Sequence, residues 1–140
     1  MAREVQQTQI LMGRLQHGDD LLKALTNVCR EHDVHLGKVT AIGAVQKARL
    51  EYYNQRNKQY EENDLAKPLE ISSLVGNVSL KDDQPIVHAH VNLADSDGNV
   101  YGGHLSEGTI VFATEYMIEV YEGATFKRQF DGVTGLPLWD

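Results

Sequence analysis

Cysteine is almost missing from this chain of 140 residues: Cys29 is the only one. A lone cysteine makes no internal disulfide and builds no thiolate metal cage. Its neighbours Leu25 and Val28 place it on a buried helix face, where a thiol packs as a small apolar group. Long apolar runs are missing too. None approaches the roughly 20 residues that a helix needs to cross a bilayer. The opening segment, Met1 to Gln7, is polar and has no signal-peptide apolar core. These absences point to a cytoplasmic protein without a membrane partner.

Cations are in deficit. Thirteen Lys and Arg face twenty Asp and Glu, for a net charge of −7. Nucleic-acid binding draws most of its affinity from cations that neutralise phosphates, so the charge disfavours a DNA partner. The only loose basic grouping is Lys47, Arg49, Arg56 and Lys58, interrupted by Glu51 and followed by Glu61, Glu62 and Asp64. It reads as a solvated surface. What remains is ordinary globular composition, 41% hydrophobic and 24% charged. With no repeat, linker or low-complexity tract, the chain reads as one domain over 1–140.

The spacing predicts a first strand over Gln9–Leu15, with Ile10, Met12 and Leu15 facing inward. Gly18-Asp19-Asp20 then opens a helix, because aspartates cap free amides and meet the positive end of the dipole. Leu21, Leu25, Val28 and His32 share one helical face, with Leu22, Ala24 and Cys29 beside them. Asp33 to Gly37 ends the helix. Beyond it the pattern is β. Strands are expected over Val39–Val45, Ala48–Tyr53, Leu69–Leu80 with a bend at Gly76, Ile86–Ala94, Val100–Leu105, Thr109–Tyr121 and Phe126–Phe130. The polar stretch Asn54–Asp64 reads as a hairpin tip or excursion. One helix with seven or eight strands makes an α+β domain, a curved, mainly antiparallel sheet with one main helix.

In Val87-His88-Ala89-His90-Val91-Asn92-Leu93 the alternation is strict. Side chains on a strand alternate faces, so the apolar residues point into the core while His88, His90 and Asn92 point away. Placing His104 depends on the loop. A two-residue Asp97-Gly98 turn would pair Val91 with His104 and put it on the wrong face. A three-residue loop, Ser96-Asp97-Gly98, places Gly98 at the left-handed position, pairs Asp95 with Asn99 and pairs His90 with His104. This register unites His88, His90 and His104 on one face. Three neutral imidazoles are a familiar zinc set, leaving a fourth place for water or substrate. Gly102-Gly103 beside them suits a close approach to the backbone. His17, His32 and His35 read as structural, His32 at the negative end of the helix dipole. Of the carboxylates, Glu70 and then Glu119 sit awkwardly on apolar strands. Both are candidates for proton transfer.

Several spaced segments resemble the plant-and-prokaryote conserved (PPC) domain: Leu69-Glu70-Ile71-Ser72-Ser73-Leu74-Val75-Gly76-Asn77, Pro85 to Val91, Asp95-Ser96-Asp97-Gly98 and Gly102-Gly103-His104-Leu105. The likeness runs from Gly18-Asp19-Asp20-Leu21 through Ala41-Ile42-Gly43-Ala44 to Glu115. The resemblance implies a single helix against a curved antiparallel sheet, and a homotrimer. In plants the domain follows AT-hooks in nuclear DNA-binding proteins, and prokaryotic members carry a DNA-binding label on that basis. No Arg-Gly-Arg hook core occurs here. The plant segment Gly-Arg-Phe-Glu-Ile-Leu, linked to partner contacts, keeps only Glu70-Ile71, and the resemblance ranks Glu70 ahead of Glu119 for proton transfer. The fold implied is also similar to acetolactate decarboxylase, a zinc enzyme with a His-x-His pair and a later histidine, a pattern that His88, His90 and His104 match. Two functions follow as expectations: a metal-dependent enzyme acting on a small molecule, and a DNA-associated regulatory module.

Overall fold

The Asp20 side chain starts the only helix among the described residues. Its carboxylate accepts the Lys23 N–H at 3.1 Å, capping α1 (Leu21–Glu31), and its other oxygen accepts the Gly108 N–H at 2.7 Å. The helix buries Leu21, Leu25 and Cys29. Burial of Leu21, Leu25 and Cys29 is as expected, but the expected face also carried Val28 and His32. The buried stripe instead advances by fours, leaving Val28 half-buried and His32 exposed as the C-cap. These coordinates are a computed structural model and describe residues 2–140.

The described residues also form nine strands. They are β1 (Val5–Arg14), β2 (Gly37–Asn54), β3 (Gln59–Leu65), β4 (Leu69–Lys81), β5 (Gln84–Ala94), β6 (Val100–Leu105), β7 (Ile110–Gly123), β8 (Arg128–Phe130) and β9 (Pro137–Trp139). The main sheet runs β1-β7-β2-β4-β5-β6 with antiparallel pairings, and β3 pairs with β2. The 18-residue β2 is long enough to serve twice. Its first half lies between β7 and β4; its second half pairs with β3 and meets β6 at Leu50↔Leu105 and Glu51↔His104. Strands β2, β4, β5 and β6 therefore close into a ring, which removes the free edge that β6 would otherwise present.

The core is one cluster in which Leu21, Leu25 and Cys29 meet Val39, Leu50, Leu74, Val91, Leu93 and Ile118. Three expectations need correction. Ile10 and Met12 do not face inward: they are 50% and 73% exposed, while Leu11 packs on the core. Apolar residues occupy both parities of that strand, so alternation cannot choose between them. The irregularity in β4 falls between Ile71 and Ser73, not at Gly76. The Phe126–Phe130 strand shortens to β8 and turns back into β9, giving a C-terminal hairpin.

Candidate metal centre

The β5–β6 loop decides the site. Asp95 N–H donates to the Asn99 carbonyl at 2.9 Å, Gly98 N–H donates to the Asp95 carbonyl at 3.0 Å, and Gly98 has φ +81°. This is the three-residue loop, and the pairing that follows is His90↔His104. Val87, Ala89, Val91 and Leu93 are buried, so His88 and His90 point to the opposite face. The ring centroids lie 5.3 Å (His88–His90), 4.9 Å (His88–His104) and 5.6 Å (His90–His104) apart. One nitrogen from each ring lies within 4.8 Å of the other two. Small ring rotations converge such a set on the ~2.0–2.1 Å that zinc–imidazole bonds require.

The site's electrostatics favour neutral, ligating imidazoles. Burial pushes His88 down to about 4, helped by the Arg128 charge and by its neighbours His104 and His90. Burial, with His90 and Arg128, lowers His104 as well. Both rings are therefore neutral at neutral pH, each with one N–H and one acceptor nitrogen. His104 Nε2 lies 3.9 Å from a Glu51 carboxylate oxygen, and with the imidazole neutral this is a polar contact, not an ion pair.

Two excursions reach the histidine face, leaving His88 and His104 partly buried and His90 exposed. Tyr60 on β3 stacks at 5.2 Å from His104 and 5.0 Å from Tyr53. Tyr53 Oη donates to the Thr134 carbonyl at 2.7 Å, and Lys58 Nζ to the Gly132 carbonyl at 3.2 Å, which ties the β2–β3 hairpin to the C-terminal one. From the latter, Arg128 reaches His88: Nη2 lies 3.3 Å from Nδ1. Burial raises the Tyr60 phenol; Glu51 adds to the rise and Arg128 opposes it, so the ring sits within the field of both.

Glu70 is not brought to this site. It pairs with Ala94 on β5, four residues from His90 and thus about 13 Å along the strand. Glu119 accepts from Tyr121 Oη and from Lys38 Nζ, and is likewise elsewhere. Glu51 is the carboxylate the fold does deliver. Reading the sequence alone missed it because its neighbour His104 comes from a pairing between distant segments. Arg128 carried no local signal. Tyr60, a lone aromatic in a polar excursion, did. The glycines also need correction: a Cβ on Gly102 would lie 2.5 Å from Asn92 Oδ1, and one on Gly103 3.0 Å from the Glu51 carbonyl. The close approach is made by neighbouring strands, not by a ligand.

The model of the Plants and Prokaryotes Conserved (PCC) domain matches residues 2–122. The chain belongs to this family. The PCC match ends before the C-terminal hairpin that supplies Arg128. Among solved structures, a metal-containing protein from Archaeoglobus fulgidus is 42% identical, with a TM-score of 0.95, over 99% of this chain and 98% of that one. A plant- and prokaryote-conserved protein from Pyrococcus horikoshii is 33% identical, with a TM-score of 0.93, over 98% and 94%. A candidate DNA-binding protein from Bacteroides thetaiotaomicron is 26% identical, with a TM-score of 0.88, over 99% and 96%. The bifunctional protein GlmU of a Synechococcus strain is 34% identical over 124 residues, 87% of this PCC chain. The chain spans only 18% of that protein's length.

Proposed function

We propose that this PCC-domain protein holds one zinc ion on His88, His90 and His104 and acts as a metal-dependent enzyme on a small molecule. The observation that carries the reading is the convergence of three imidazole nitrogens within 4.8 Å. The donor set fits: two of the rings are held neutral by burial, and three ligands leave a coordination place open. The metal-containing relative from Archaeoglobus fulgidus, similar over almost the whole chain, supports it. A zinc ion on such a set supplies Lewis acidity or a water acidified to near neutrality. The proton role expected of Glu70 passes to Glu51, because Glu51 faces the site beside His104. Tyr60 covers part of His104 and Arg128 of the C-terminal hairpin covers part of His88, while His90 is exposed.

The protein works as a homotrimer in the cytoplasm on this reading. The outer sheet face supports self-association: Met12, Met117, Thr40 and Val75 pair in one row across β1, β7, β2 and β4, and the row continues to His90. Met12, Met117 and Val75 are 73%, 45% and 56% exposed, a contiguous apolar patch. Among the described residues, no helix is long and apolar enough to cross a membrane.

The test is metal analysis of protein purified without a His-tag. We expect one zinc per chain, and loss of it in His88→Ala, His90→Ala and His104→Ala. The DNA-binding description of the Bacteroides relative favours a second reading, a DNA-associated regulatory module. Absent metal together with sub-micromolar, salt-sensitive duplex binding that survives the three histidine substitutions would establish that alternative instead.

A further inference from the structure

Arg128 is a half-buried cation without an anion. Its guanidinium is held by neutral acceptors: Ser79 Oγ at 3.0 Å from Nε, the Pro137 carbonyl at 3.0 Å from Nη1, and Asn77 Oδ1 and His88 Nδ1 at 3.0 and 3.3 Å from Nη2. None of the ion pairs among the described residues includes it. Its exposed neighbour Lys127 does have a partner, Asp83 at 2.7 Å. A desolvated charge is costly unless something compensates it. Burial duly lowers the Arg128 pKa, though a guanidinium keeps its proton at any working pH.

The contact with His88 has a chemical consequence. A guanidinium can only donate, so His88 Nδ1 accepts and the proton of the neutral ring sits on Nε2. In that arrangement neither nitrogen has a lone pair free for a metal. Ligation through Nε2 moves the proton to Nδ1, where it meets another donor; ligation through Nδ1 removes the acceptor outright. Metal uptake by His88 and donation from Arg128 to His88 therefore exclude one another. Once His88 ligates, an Nη2 hydrogen of a buried cation has lost its acceptor, beside the open coordination place.

We propose that Arg128 is the anchor of an anion subsite, and that its ligand is a small carboxylate whose charge pairs with the guanidinium while it reaches the histidine centre. The inference rests on the metal reading of His88, His90 and His104. The planar fork matches a carboxylate. Beside His104, Glu51 disfavours a doubly charged group, and Tyr60 packs against the same ring. Metal and carboxylate bind cooperatively, each raising the affinity of the other by the same factor.

The experiment uses the full chain loaded with cobalt(II), whose visible bands report a ligand entering its coordination sphere. Acetate, acetamide and methyl phosphate are the probes, on wild type, Arg128→Gln and Arg128→Lys. We expect one cobalt per chain in all three proteins, with Arg128→Gln binding cobalt at least as tightly as wild type when no acetate is present. Acetate should bind wild type at least tenfold more tightly than Arg128→Gln, with Arg128→Lys between them, and acetamide should bind wild type at least tenfold more weakly than acetate. Equal acetate binding by wild type and Arg128→Gln, with cobalt present in both, overturns the subsite and leaves the metal reading standing. Failure of wild type to take up cobalt overturns the metal reading, and the subsite with it. Acetamide binding as tightly as acetate overturns the subsite on wild type alone, whether or not a variant folds. Methyl phosphate binding more tightly than acetate overturns the carboxylate assignment.

Discussion

Asp95 shows how one side chain can set a register. Its carboxylate accepts from Lys67 Nζ at 2.8 Å, the Asn99 N–H at 2.9 Å, the Asp97 N–H at 3.0 Å and Tyr101 Oη at 3.1 Å. These bonds fold the Ser96-Asp97-Gly98 loop, and the loop fixes His90 opposite His104. The Lys67 ammonium, the Asn99 donors and the Tyr101 hydroxyl hold the Asp95 carboxyl well below the usual carboxylate range. The sign of the pH effect follows from linkage. A folded-state pKa below the unfolded one gives stability that is present above about pH 4 and is lost as pH falls toward the folded value. Asp95→Asn should therefore be less stable than wild type at neutral pH, and the gap should narrow as pH falls below about 4. Urea denaturation across a pH series measures both. A gap that stays constant with pH would show that the charge of Asp95 contributes nothing.

At the scale of elements, β6 is the strand that the site depends on. It is six residues long and lies between β5 and the far half of β2, so it carries His104 to His90 on one side and to Glu51 on the other. Gly103 lets β2 come close, since a Cβ there would lie 3.0 Å from the Glu51 carbonyl and 3.4 Å from the Leu50 side chain. Gly103→Val should push β2 away from β6. We expect a loss of about 1–3 kcal/mol in unfolding free energy, as for other overpacked positions. Cobalt affinity should fall tenfold or more as His104 is displaced. A urea titration and a cobalt titration on the same sample check the two together. This strand also marks the boundary of what the sequence makes legible. The His88-His90 face follows from strict alternation, and of the two turns the sequence allows, the three-residue Ser96-Asp97-Gly98 loop with glycine at the left-handed position adds His104 to it. Helix α1 follows from Asp20 and apolar spacing in the same way. Glu51 and Arg128 do not, because they arrive through β2–β6 closure and the C-terminal hairpin, pairings between segments far apart in sequence. Glu70 fails for the same reason. Alternation gives its face correctly, but its distance from the histidines is a matter of register between β4 and β5. Ile10 and Met12 fail because three consecutive apolar residues leave the parity of an edge strand undecided.

The molecule as a whole presents an outer sheet face whose composition is at odds with exposure to water. Met12, Ile42, Val75 and Met117 are each at least 45% exposed, and they lie on neighbouring strands of the same sheet. Burying such a patch contributes roughly 25 cal/mol for each Å² removed from water. Charge acts in the opposite direction: three chains of −7 carry −21 (3 × −7), and that repulsion must be offset by apolar contact close to the seam. Val75 is the residue where the two roles of the face meet, because it pairs with Thr40 on one side and with His90 on the other. A copy seated over Val75 would therefore lie against the rim of the histidine site, and association would shield that site from solvent. Light scattering at micromolar concentration should give three times the chain mass for wild type. Val75→Asp places a charge in the middle of the patch without touching the core, since the side chain is 56% exposed. It should yield a folded monomer with an unchanged far-ultraviolet circular dichroism spectrum. A wild type that scatters as a monomer would sink the trimer outright. A Val75→Asp variant that stays trimeric would place the interface on some other surface, and would remove the link between assembly and the histidine centre.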